Sequence, residues 1–140
     1  MLSYCDACAA AWKDFLLLVG RVMLGWIFAY SGFMKSFKFI PYSTRGWPAE
    51  WFWGPVGAGV ELVGGVLILL GLGTRYASIL LMLFVIVATF SSHRYWEFPA
   101  AQVRGQQSQF FKNVAIFGGF VVLFVTAGGR FSLDRWLRRK

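Results

Sequence analysis

One acidic side chain, Glu61, stands inside an apolar stretch that runs from Trp53 to the only histidine, His93. The stretch reads WGPVGAGVELVGGVLILLGLGTRYASILLMLFVIVATFSSH. A carboxylate in such surroundings is costly, and it is usually paired and often functional. Glu61 shares a helix face with Gly57, Gly64, Ile68 and Gly71, which recur at steps of four, three, four and three. Glycine on a face lets a second helix come close, so the acid points into a helix–helix seam and away from lipid. Histidine titrates near neutrality, which suits proton-coupled work. Lysine holds an anion or polarises a carbonyl. The chemistry thus turns on which groups meet Glu61.

The elements that would position these groups are membrane helices. Hydrophobic residues make up 58% of the 140 residues and charged residues only 14%, against about half and a quarter in soluble domains. Apolar runs of spanning length cover residues 15–33, 54–72, 76–92 and 110–127. A span takes ~20 residues, so four spans nearly exhaust the chain. The expected fold is an all-α integral membrane four-helix bundle, residues 1–140 forming one domain. The net charge of +8 sits at helix ends and in the tail, where it meets lipid headgroups and not nucleic acid. The start lacks the basic n-region of a secretory signal, so the first run reads as a retained span.

Span one carries Arg21, Gly25, Phe28, Gly32 and Lys35 on one face. Arg21 lies a turn or two inside the start, where snorkelling is the simple expectation. The first connection, KSFKFIPYSTRGWPAEWFWGP, is rich in rings and broken by Pro41 and Pro48. It reads as an aromatic interfacial loop between helices 1 and 2. Span two should stop at Gly71 or Gly73, with Thr74 capping span three and Arg75 at the interface. The second connection, RYWEFPAAQVRGQQSQ, is polar. Span four opens with Gln109, Lys112 and Asn113, and the tail interleaves Phe131, Leu133, Trp136 and Leu137 with basic residues. That pattern is a short interfacial segment on an anionic leaflet.

Side-chain lean selects a partner for Glu61. Side chains tilt toward a helix N-terminus, so Glu61 leans toward the end where span two begins, ~10 Å below that surface. Arg21 lies near the opposite surface and leans away. Lys35 and His93 lean toward Glu61, with Gln109, Lys112 and Asn113 as neighbours. Two readings of this pocket stand open. In one, the acid and lysine neutralise each other and fix helix register. In the other, Glu61 and His93 are catalytic groups that exchange protons with a redox substrate, while Lys35, Lys112, Asn113 and Gln109 bind it. Cys5 and Cys8 form a lone CxxC, for which redox, metal-binding and incidental readings all exist. No second pair supports a zinc site, so no metal is expected.

Three blocks carry a family resemblance: GRVMLGWIFAYSGFMK, ELVGGVLILLGLGTRYASILLMLFVIVATFSSHRYW and QFFKNVAIFGGFVVLFVTAGGRFSLD. In this order they resemble the DoxX family of small four-helix membrane proteins. The resemblance implies a bundle with both termini cytoplasmic in a bacterial inner membrane. It also implies a link to quinone-dependent redox chemistry, as in thiosulfate:quinone oxidoreductase, where a DoxD-type subunit acts with DoxA. Matching positions are Arg21, Lys35, Glu61, Arg75, His93, Lys112, Asn113 and Arg130. Of these, Arg21, Arg75 and Arg130 are assigned structural or interfacial roles. The CxxC is not part of the pattern. No haem, flavin or iron–sulfur motif is visible, so electrons would pass through quinone directly, the thiols, or another subunit. The competing reading is a non-catalytic accessory subunit of a larger membrane complex. Either way a partner subunit or a second copy is expected beside the bilayer. Lysine and arginine are nearly balanced between the two sides, and the basic tail tips both termini to the cytoplasm.

Overall fold

A computed structural model describes residues 2–41 and 50–139, the side chains of Leu2, Glu50 and Trp51 excepted. The described chain is all helical: α1 (Leu2–Ser36), α2 (Glu50–Leu70), α3 (Thr74–Ser92), a 3-10 turn (Tyr95–Glu97), α4 (Ala100–Thr126) and α5 (Leu133–Leu137). Helices α1 to α4 are long and apolar enough to cross a membrane. The fold is an integral membrane four-helix bundle. Exposed Trp26, Val63, Leu83 and Val122, among many others, form the surface that lipid covers.

Two helices run further than hydropathy suggests. Helix α1 begins at Leu2, so the CxxC segment is helical and not a lead-in to the span. Its 35 residues reach about 52 Å, well beyond a hydrocarbon core of ~30 Å. Helix α4 starts at Ala100, so most of the polar second connection is helix and not loop. Hydropathy locates the part of a helix in lipid, not the part continuing into the headgroups. The aromatic connection is likewise shorter than expected, because α2 takes in Phe52 and Trp53. Tyr42, Trp47 and Pro48 lie outside the described residues.

Packing follows the small residues. Helices α1 and α2 lie so close that a Cβ on Gly32 would stand 2.3 Å from the Leu62 nitrogen. One on Gly65 would stand 2.3 Å from the Ala29 nitrogen. Such approach gains dispersion contacts where lipid supplies no hydrophobic drive. Gly57 and Gly64 look the other way, toward Phe84 and Leu81 of α3. Helix α2 therefore has two small-residue faces, one for each neighbour, and Glu61 lies between them. A shared core of Phe28, Ile68, Leu81, Val85 and Phe120 joins all four spans. The Phe28 ring sits 5.4 Å from Phe120 and 6.3 Å from Phe84.

Candidate functional site

Helix α1 sends Ser31 and Lys35 from one side, a helical turn apart, toward Glu61 on α2. The Lys35 ammonium donates to both carboxylate oxygens, at 2.7 and 2.8 Å. Ser31 Oγ donates to Oε2 at 3.0 Å. The Lys35 side chain is 15% exposed and the Glu61 side chain 7%. A buried carboxylate and a partly buried ammonium, with an added hydroxyl donor, satisfy much of what each requires. Arg21 takes no part in this pair.

The pair forms part of the lining of a cavity of about 580 Å³ between the spans. Its walls are apolar, with Ile27, Phe28, Trp53, Leu80, Phe84 and Ile116. Its polar lining comes from Ser31, Lys35, Glu61, Ser91, Ser92, His93, Lys112 and Asn113. Asn113 donates to Thr89 Oγ1 at 3.0 Å, and that hydroxyl donates to the Val85 carbonyl at 2.6 Å. His93 caps α3, its backbone N–H returning to the Thr89 carbonyl. Its Nδ1 lies 2.8 Å from Gln106 Oε1. With an amide oxygen as acceptor, Nδ1 is the donor in this bond.

The structure thus gathers Lys35, Glu61, His93, Lys112 and Asn113 around one cavity. Two details differ from expectation. His93 is hydrogen-bonded to Gln106 and not to Glu61, because α4 begins early enough to bring Gln106 beside the ring. Gln109 is exposed and absent from the cavity lining, where it accepts a hydrogen bond from Lys112. Ser31 and Gln106 escaped sequence reading, although Ser31 stands one helical turn before Lys35. Among the described residues no group of three metal-ligating side chains occurs. Cys5 and Cys8 are exposed free thiols.

The remaining predicted positions gather at the other end. Arg21 does not snorkel: it is 2% exposed and donates to the carbonyls of Gly128 at 2.8 Å and Phe131 at 2.7 Å. Those carbonyls lie in the chain just after α4, which folds back over the guanidinium. Thr74 does not cap α3 either. Gly73, at φ +57, holds the cap position, and the carboxylate of Asp134 accepts from the Gly73 and Thr74 nitrogens at 2.6 and 2.9 Å. A distant acid therefore does what a neighbouring hydroxyl was expected to do, and the Thr74 hydroxyl donates to the same carboxylate. Arg75 reaches the Val125 carbonyl at 3.4 Å. Arg130 joins Asp14 through its backbone nitrogen at 2.8 Å and its side chain at 4.0 Å. Helix α1 and the segment after α4 thus meet at one end of the bundle.

These features define a class: a small four-span membrane protein whose buried lysine–glutamate pair borders an apolar cavity with a polar lining. The chain belongs to the DoxX family, whose model matches residues 16–94. It is 32% identical over 138 residues to the inner membrane protein YphA of Escherichia coli, covering 96% of this chain and 97% of that one. It is 29% identical over 133 residues to the inner membrane protein YqjF of the same organism, covering 91% and 96%. A likeness of 25% over 122 residues links it to the ER-derived vesicles protein ERV29 of Saccharomyces cerevisiae, covering 87% of this chain and 34% of that one. No solved structure matches the chain.

Proposed function

We propose that this chain sits in a bacterial inner membrane with both termini cytoplasmic and binds a quinone for redox work with a partner subunit. One observation carries the reading: an apolar cavity between the spans whose polar lining includes two lysines, an asparagine and a histidine. A quinone ring and its isoprenoid chain suit such walls, and its carbonyls need donors. The location draws on the relatives named inner membrane proteins.

Lys35 is the pivotal group. Its ammonium pairs with Glu61. A ligand carbonyl competes with the carboxylate for the ammonium. Lys112 and Asn113 supply further donors, and the His93 ring can donate or accept a proton. Reduction to quinol consumes two electrons and two protons, and the electrons come from a donor outside this chain.

The direct test is binding of radiolabelled ubiquinone to the protein in nanodiscs. His93→Ala combined with Lys112→Gln spares the ion pair and should weaken binding about tenfold. Unchanged binding in that variant defeats the quinone site. The accessory-subunit reading then takes its place, favoured by the fact that both oxygens of Glu61 are already bonded.

A further inference from the structure

The end of the bundle away from the cavity has a groove of its own, about 660 Å³ in volume, between the start of α3, the end of α4 and the tail. Four arginines line it: Arg75, Arg135, Arg138 and Arg139. All four side chains belong to exposed residues, and none forms an ion pair among the described residues. The sole acid in the lining is Asp134, whose two oxygens already bind the Gly73 and Thr74 nitrogens. Four guanidinium groups thus share the groove with one occupied carboxylate. The rest of the wall includes Tyr76, Ile79 and Phe124, which face outward from the spans and are exposed. The groove spans the level at which α3 starts and α4 stops, where headgroups lie.

We infer that this groove is a site for an anionic phospholipid. The arginines take the headgroup phosphate, which guanidinium matches in shape and charge. The first acyl carbons lie against Ile79 and Phe124. The assignment rests on charge complementarity joined to a lipid-facing apolar wall, which a soluble anion would not use. The fold builds the site by docking the tail: Asp134 and Arg21 tie the chain between Gly128 and Asp134 to the bundle, which fixes where the arginines stand. A basic tail alone would bind a charged surface diffusely, whereas a docked one selects individual lipids.

Native mass spectrometry of the full-length protein in mild detergent tests the inference. The ligands are phosphatidylglycerol, zwitterionic phosphatidylethanolamine and inorganic phosphate. Wild type should retain phosphatidylglycerol selectively. Arg135→Gln with Arg139→Gln should weaken that retention about 25-fold, at about fivefold per arginine. Lys at both positions should restore most of it. Lys38→Gln with Arg104→Gln removes the same charge at the far end and should leave it unchanged. Equal loss in this far-end variant, or equal retention of phosphatidylethanolamine, overturns the site. Saturation by inorganic phosphate at matching concentrations overturns the lipid assignment. Melting of the lipid-free Gln variant should match wild type, and a collapse there with no rescue by Lys likewise counts against it.

Discussion

The two ends of this bundle each bury a cation, and they use it differently. Lys35 meets a carboxylate beside a cavity of about 580 Å³. Arg21 meets two backbone carbonyls, and the space around it is filled by chain: a Cβ on Gly71 would stand 2.2 Å from its guanidinium nitrogen. One cation sits by open volume with a partner it can exchange. The other is locked under a turn with acceptors that cannot leave. A charge held by a side chain on a cavity wall suits ligand exchange, whereas a charge held by backbone suits architecture. The two ends can therefore be told apart as a closing end and, under the proposed function, a working end.

The largest break in this contrast should come at the closing end. Arg21→Met removes two charge-assisted hydrogen bonds and leaves the Gly128 and Phe131 carbonyls unanswered. Bonds to charged groups contribute about 1.5–3 kcal/mol each. The buried Arg21 Nε has no partner among the described residues, and its removal offsets part of the loss. A net destabilisation of roughly 3 kcal/mol is expected, read as reduced melting in detergent and faster proteolysis of the tail. A variant with an intact tail and wild-type melting would remove the distinction between the ends.

Glu61→Gln should cost less, roughly 1–3 kcal/mol, the cost of an unanswered donor and not the larger one of a charge held buried without its partner. Lys35 stands one residue from the end of α1 and can swing toward the headgroups, so its charge need not stay buried. His93→Ala leaves the pair intact and should melt within about 0.5 kcal/mol of wild type. Melting curves for the two variants sharpen the comparison. A larger loss for Glu61→Gln than for Arg21→Met would make the working end the structural one.

Sequence reading succeeded where periodicity and hydropathy carry the information. The spans follow from apolar run length. The Lys35–Glu61 meeting follows from helix direction and the tilt of side chains. It failed where the partner is backbone or far along the chain. Arg21 is answered by two carbonyls, which have no residue-type signature. Asp134 caps a helix that begins 60 residues earlier, whereas capping rules look only a few residues either way. His93 turned to Gln106 because α4 extends through a segment too polar to register as a span. The small-residue rule found glycine faces, but not that Gly65 serves α1 while Gly64 serves α3.

A modest effect at the closing end concerns Asp134, and it has a pH signature. Burial pushes its carboxyl up. Hydrogen bonds from the Thr74 and Gly73 nitrogens and the Thr74 hydroxyl, with the charge of Arg138, outweigh this and hold it below the usual carboxylate range. A carboxyl with a folded value below its unfolded one of about 3.9 stabilises fully above that value. The contribution is lost as pH falls through the lower folded value. Asp134→Asn keeps one acceptor and drops the charge, so it should cost about 1 kcal/mol at pH 7, in the range of lost helix caps. The gap between wild type and variant should hold from pH 8 to about 5, then close below about pH 4. Melting followed across that range decides the point. A gap of constant size down to pH 3 would mean that the carboxylate charge does not hold the tail. The cap would then be a packing feature, and the closing end would rest on Arg21 alone.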